Sequence, residues 1–221
     1  MTKKRFRRLL TATLFILAFT SFVRIYRVSE ISMNYTLVDG DLVVVDNFSA
    51  GIHIPSFHIY IDRHIYSNEE GIHRGDILAF RHPLEHRLYL KRCVALPGDS
   101  LFQKNKSLYL QIESDSAKTR DYASRYSIPA VVVDGEYWLE NPYEPFYDIV
   151  HDDRVYGPKE LIDYPLVKLP PHMYFFMGDF RDNSTDSRFF GPVPYERIYY
   201  KVRYILKLSR GLESLASIKN F

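Results

Sequence analysis

The sequence predicts a mostly β domain that sits behind an N-terminal apolar anchor and makes one long excursion in its middle. Three observations lead there. Tyrosine (18 copies) and phenylalanine (15 copies) are abundant, as in sheet-rich proteins. Short apolar runs recur along the chain, bounded by turn residues such as Asp39-Gly40-Asp41, Arg74-Gly75-Asp76 and Pro97-Gly98-Asp99. The 15 residues from Leu9 to Val23 are uncharged and follow Lys3, Lys4, Arg5, Arg7 and Arg8. At 221 residues, 46% of them hydrophobic, the chain can bury one good core with room for a subdomain. A net charge of +2, spread along the chain, leaves no nucleic-acid footprint. The single cysteine, Cys93, excludes an intramolecular disulfide and a cysteine-built zinc site.

Taken in order, residues 1–8 form a basic segment expected to stay cytoplasmic. Residues 9–26 are expected to form a transmembrane anchor, with the rest of the chain outside. The uncharged run is short for a hydrocarbon layer of about 30 Å, and snorkelling arginines and Tyr26 extend its usable length. A cleaved signal peptide fits the length, but the next residues are Arg24-Ile25-Tyr26-Arg27 rather than a small-x-small site. Leu42 to Asp46 reads as a short strand, so Ser32 falls just past the membrane and just ahead of the sheet. A serine in such a place is usually a local cap or turn hydroxyl. Ser49 to Arg74 reads as a hairpin or extended loop near the membrane surface, and Ile77 to Arg81 as a second strand. His82, Glu85 and His86 match the pattern H-x-x-E-H, but that pattern needs a helix; here it occupies a short segment with Pro83, and no metal is expected.

Leu88 to Leu96 is the strand around which the rest is organised. Strand periodicity puts Tyr89, Lys91, Cys93 and Ala95 on one face, and Leu88, Leu90, Arg92 and Val94 on the other. If the first face is buried, the Lys91 ammonium loses solvation and its pKa falls, which makes a usable general base. The plainer alternative is a lysine whose stem packs while its head stays in water. Beyond Asp99, Leu101 to Pro171 mixes short strands with solvated charge runs at Lys104 to Lys106 and Glu113 to Arg125, an excursion to which no chemistry can be assigned. Met173 to Met177 is again an apolar strand. The polar loop Gly178 to Ser187 is pinned between aromatic anchors and must satisfy its buried groups internally; Asp179, Arg181, Asp186 and Arg188 have the charges to do so. Ile198 to Leu208 is a last strand, followed by a short amphipathic tail.

Three stretches carry a family resemblance: Ser32-Met33-Asn34-Tyr35-Thr36-Leu37, the run Tyr89 to Asp99, and the run Gly178 to Pro194. Their order and spacing resemble bacterial type I signal peptidases, membrane-anchored serine/lysine enzymes whose boxes read roughly S-G-S-M-x-P-T-L, Y-I-K-R-V-I-G-L-P-G-D and G-D-N-R-D-N-S-x-D-S-R-x-W-G-x-V-P. The turn at Arg74 to Pro83 also looks like the family's R-G-D-I-V-V-F-x-x-P. The resemblance implies a coiled antiparallel β-sheet catalytic core of residues 27–100 and 172–208, a strand-rich cap insertion of 101–171 and a tail of 209–221. It implies Ser32 as nucleophile and Lys91 as general base, with Ser184 hydrogen-bonding and orienting the lysine. Asp186 with Arg188, and Asp179 with Arg92, align with ion pairs that brace the site, while Met33, Leu37 and Tyr89 match positions shaping the pocket for small side chains. No cofactor or metal is implied. The implied partners are the signal peptides of exported pre-proteins and the phospholipid bilayer, at the bacterial inner membrane, crossed once.

Two departures stand out. The family's proline after S-M-x is Tyr35, expected to loosen the turn after the nucleophile. The first serine of S-x-S, which in relatives helps hold the oxyanion beside the Ser32 backbone N–H, is Glu30, leaving Ser29 as a neighbouring hydroxyl. Glu30 is expected to point to solvent. A catalytically weak or inactive relative that only binds exported peptides is the competing reading, and oligomeric state is not legible.

Overall fold

The computed structural model describes residues 3–53, 64–85, 87–152, 154, 156–208 and 215–217. The helix α1 (Lys3–Phe22) runs directly into β1 (Val23–Arg27), which pairs antiparallel along its whole length with β2 (Leu42–Asp46). A separate two-stranded hairpin follows, β3 (Gly51–His53) with β4 (His64–Ser67). Then come β5 (Ile77–Arg81) and β6 (Leu88–Ala95). The next stretch contains β7 (Ser100–Lys104), β8 (Ser107–Gln111), α2 (Ser116–Tyr126), β9 (Ala130–Val133), β10 (Glu136–Glu140), α3 (Lys159–Ile162) and β11 (Tyr164–Lys168). The chain returns through β12 (Met173–Met177), α4 (Ser187–Phe190), β13 (Val193–Pro194), β14 (Ile198–Leu206) and β15 (Leu215–Ser217).

These strands form an eight-stranded sheet ordered β1-β2-β14-β5-β6-β12-β13, with β15 also on β14, and a five-stranded sheet ordered β11-β7-β8-β10-β9. Alternation explains why the large sheet is buried on both faces. Along β5, Ile77 and Ala79 join a cluster with Val43, Val45 and Val202, whereas Leu78 and Phe80 join Tyr89, Cys93 and Phe176. A third cluster, with Val94, Leu101, Leu110, Leu139 and Phe175, welds the two sheets together. Asp99 ends the turn after β6 as a clamp: Arg74 donates to both its oxygens, at 2.8 and 2.6 Å, and the Leu96 and Glu113 N–H groups donate to it as well.

Four expectations need correction. The anchor expected over 9–26 ends as a helix at Phe22, because Val23 to Arg27 are taken into the sheet by pairing with β2. Among the described residues no helix is long and apolar enough to cross a membrane. Ala95 leaves the face of Lys91: Phe176 pairs with Cys93 but Phe175 pairs with Ala95, so Val94 is a bulge, and Ala95 packs with Val94 in the inter-sheet cluster. The charge run Glu113 to Arg125 contains α2, started by Asp115, whose side chain accepts from the Ala117 and Lys118 N–H groups. In the tail, Leu215–Ser217 adds a strand to Tyr204–Leu206; residues 209–214 and 218–221 lie outside the described residues. The hairpin expected within Ser49 to Arg74 is present as β3 and β4, and its tip, 54–63, also lies outside them.

Candidate active site

Strand β6 carries two adjacent cations into the interior, Lys91 at 1% and Arg92 at 0% exposure, and sends them to opposite faces. On one face the Lys91 Nζ donates to Ser32 Oγ at 2.6 Å, both groups being buried. Ser32 comes from the turn-rich stretch between β1 and β2. Its carbonyl accepts from the Phe180 N–H at 3.1 Å, which ties it to the polar loop after β12. Gly178 is the point of closest approach: a Cβ there would sit 2.5 Å from the Ser32 carbonyl oxygen and 2.3 Å from Ser184 Oγ, so the loop can reach the serine only through a glycine. Tyr35 has φ +77°, a left-handed value that proline cannot adopt. The turn after Ser32 is therefore built differently from a proline turn, not merely loosened, and the Tyr35 ring packs edge-on against Phe180.

Ser32 opens onto a cavity of about 170 Å³ lined by Val28, Met33, Val43, Val45, Ala79 and Leu90, with Ser29, Glu30 and Tyr89 among its other walls. Met33 and Tyr89 thus lie on the cavity wall. Leu37 does not: its N–H donates to the Met33 carbonyl, and that turn carries the side chain, fully buried, into the cluster with Val43 and Ile77.

The electrostatics follow from burial. Desolvation pushes the Lys91 ammonium below the usual lysine range; Glu30, then Asp186 and Asp179, push the other way without reversing it. Glu30 was expected to face solvent. It is 46% exposed, yet its Oε2 lies 3.8 Å from Lys91 Nζ, an ion pair with the buried cation. Ser184 was expected to hydrogen-bond Lys91. Among the described residues its buried Oγ meets no acceptor or donor in hydrogen-bond geometry; Nζ is turned toward Ser32 and Glu30, while Ser184 packs on Gly178 with its hydroxyl on the Asp186 side, where it favours that carboxylate's charge.

On the other face, Arg92 bonds Asp179 with both forks, at 2.8 and 2.5 Å, donates to the Gly75 carbonyl at 2.6 Å and lies 3.6 Å over the Tyr147 ring. Burial lowers its pKa, but Asp179 outweighs that and raises it. Arg188 bonds Asp186 at 2.9 and 2.8 Å and the Arg181 carbonyl at 2.8 Å. Asp186 also caps α4 and accepts from the Gly178 N–H at 2.9 Å; burial pushes its carboxyl up, and Arg188 with these N–H groups more than offsets that, holding it below the usual range. Two bracing groups were missed from sequence. Thr36 Oγ1 donates to Asp179 at 2.6 Å, and Asp182 ties the polar loop to the excursion by accepting from Lys106 Nζ and the Asp152 N–H. Thr36 was legible as the threonine of the serine box; nothing in the sequence marks Tyr147 or Asp152.

Alternative chemistries find less support. Cys93 is fully buried and its thiol is pushed well up by desolvation, which makes it unreactive. His82 Nδ1 accepts from the Leu84 and Glu85 N–H groups, so the ring serves the loop, and Glu85 bonds Arg87; His86 lies outside the described residues. Among the described residues no group of three or more His, Cys, Asp or Glu is placed to hold a metal ion.

A family model described as "Signal peptidase, peptidase S26" matches residues 3–207. "Signal peptidase I" of Pseudomonas fluorescens is 31% identical over 93% of this chain and 72% of its own length. "Signal peptidase I" of Buchnera aphidicola subsp. Baizongia pistaciae is 26% identical over 81% of this chain and 68% of its own. A crystal structure of a signal peptidase I from Enterococcus faecalis aligns with 57% of this chain and 92% of that one at 25% identity, with a TM-score of 0.31, too loose a superposition to inform the geometry.

Proposed function

The chain belongs to the peptidase S26 family of signal peptidases, and from that premise we propose that it removes N-terminal signal peptides from exported pre-proteins with Ser32 and Lys91 as a catalytic dyad. The observation that carries this reading is the 2.6 Å hydrogen bond from Lys91 to Ser32 at the wall of an apolar cavity, made by a lysine that burial drives toward its neutral form. Neutral Lys91 takes the proton from Ser32 Oγ as it attacks the scissile carbonyl. The resulting ammonium gives that proton to the departing amine, leaving an acyl-enzyme. A water then loses a proton to the same lysine and attacks the ester, and as the ester bond breaks the lysine returns that proton to the departing Ser32 oxygen. The developing oxyanion is met by the Ser32 N–H, with the Ser29 hydroxyl on the same cavity as a second donor. Met33 and Tyr89 shape the pocket for small substrate side chains. The pairs Arg92–Asp179 and Arg188–Asp186 hold the loop that touches the Ser32 carbonyl.

The same reading places the enzyme at the bacterial inner membrane, N-terminus inside and the β domain outside. Support comes from α1, where five basic residues precede the uncharged run from Leu9. The 14 uncharged residues Leu9 to Phe22 within α1 reach only about 21 Å, so spanning requires the flanking arginines to snorkel and the bilayer to thin.

The test is cleavage of a pre-protein by wild type, Ser32→Ala and Lys91→Ala across pH. Wild-type rate should climb with pH as the Lys91 ammonium loses its proton through its lowered pKa. Both variants should be inactive while remaining folded; more than about a tenth of wild-type activity in either, or a flat profile over about pH 6 to 10, overturns the dyad.

A further inference from the structure

We propose that Glu30 is a positioning residue for the dyad, the counter-charge that opposes the loss of the Lys91 proton in the empty site and so sets the pH at which the base becomes available. The inference rests on the dyad reading above and goes one step beyond it.

Three carboxylates act on Lys91 through space, and they differ in what else they bind. Asp179, just after β12, is held by Arg92, and Asp186, ahead of α4, is held by Arg188. Glu30, just after β1, has its ion pair with Lys91 itself, at 3.8 Å. The other charged and titratable groups around the pair are engaged with one another: the Tyr89 ring lies 5.0 Å from Nζ and its hydroxyl donates to Glu85, Glu85 is taken by Arg87, on which Glu30 also acts through space, and His82 packs on Tyr89 at 4.5 Å. Glu30 is also the half-exposed member of the set and lines the cavity that Ser32 opens onto. Its charge therefore reaches Lys91 from the substrate side, where it is screened by solvent in the free enzyme and stripped of that solvent when a peptide fills the cavity.

The sign follows from Coulomb's law. An anion near an ammonium favours the protonated form, so removing it lets the proton leave at lower pH. At this separation, in a solvent-screened setting, the interaction amounts to about one pH unit of midpoint.

The experiment compares the pH dependence of kcat/KM for wild type, Glu30→Gln and Glu30→Asp in the full-length chain, with a pre-protein substrate. Glu30→Gln keeps the shape and removes the charge; its rising limb should move down by about one pH unit, giving close to tenfold faster cleavage well below both midpoints. Glu30→Asp should return the limb toward wild type. A side-chain nitrogen NMR titration of Lys91 in Ser32→Ala, with and without Glu30→Gln, needs no turnover and should show the same displacement. If the Gln limb and the NMR midpoint both stay within about 0.2 unit of wild type, the proposal fails. Should Ser32→Ala or Lys91→Ala cut substrate, the dyad itself fails; dead dyad variants with an unmoved limb bring down only the role of Glu30.

Discussion

Lys91 and Arg92 leave β6 in opposite directions, and the surroundings they meet differ in kind. Arg92 is matched at every fork, by two carboxylate oxygens, a backbone carbonyl and an aromatic face. Lys91 has one hydroxyl in hydrogen-bond reach and one half-exposed carboxylate beyond it. The first arrangement keeps a buried cation charged and raises its pKa; the second leaves it underpaid in partners and lowers it. A guanidinium in the second place would stay protonated, and an ammonium in the first would lose the bidentate geometry. For the proposed dyad the contrast teaches that burial alone does not make a base. What makes one is burial with too few acceptors, held there by a neighbouring site that has enough.

The same substitution at both positions breaks the comparison most severely. Arg92→Met strands Asp179 in the interior with only Thr36 as donor among the contacts described above, and should cost about 3–5 kcal/mol of stability, a large part of what a domain has. Urea unfolding reads it, and a loss below about 1 kcal/mol would show that the pair is not the brace it looks. Lys91→Met should go the other way: Glu30 can hydrate where it stands, no buried charge is orphaned, and the variant should gain about 1–2 kcal/mol. Its pH dependence has a definite sign. Because the folded pKa of Lys91 lies below the unfolded one, burying the ammonium costs stability in full below the folded pKa, and the cost disappears as pH rises past the unfolded value. The gain of Lys91→Met over wild type should therefore shrink as pH rises; a gain that grows with pH contradicts the lowered pKa.

Much of this contrast was readable in advance, for a physical reason. Period-two alternation on a strand separates Lys91 from Arg92 before any fold is known, and the acidic residues of the polar loop between aromatic anchors announce partners for buried cations. The readable part stopped where tertiary pairing overrides local pattern. The bulge at Val94 moves Ala95 off the lysine's face, and nothing in the pattern of small apolar residues there encodes it. Leu37 looks like a pocket residue by its place in the serine box, but one turn, Leu37 N–H to Met33 carbonyl, commits it to the core. The end of α1 was misjudged because β-branched and aromatic residues such as Val23, Ile25 and Tyr26 suit a strand as well as an apolar helix. α2 was missed because its surface is charged and only Thr119 and Ala123 are buried, too little apolar signal to set a helical period. The direction of Glu30 depends on where a residue 61 positions later is buried, which sequence spacing does not state.

The finest distinction concerns Ser184. Among the described residues its buried hydroxyl meets no partner in hydrogen-bond geometry, and it lies beside Gly178, which also closes on the Ser32 carbonyl. Asp186 loses the help of that hydroxyl in Ser184→Ala but keeps Arg188 and the Gly178 N–H, so the variant should lose only about 1 kcal/mol of stability. In the resting geometry Nζ is bonded to Ser32, and the alanine variant keeps that bond, so the first-order effect on cleavage should stay within about tenfold. After proton transfer the ammonium of Lys91 carries three donors, and the attacked carbonyl has taken the Ser32 oxygen away from it. If the Ser184 hydroxyl swings onto Nζ at that moment, kcat should fall by about a hundredfold or more in Ser184→Ala while KM and the melting temperature hold, and Ser184→Thr should restore part of it. Steady-state kinetics on the folded variant decide between a spectator and a transition-state partner, and with it whether the lysine's shortage of acceptors is permanent or lasts only until the reaction begins.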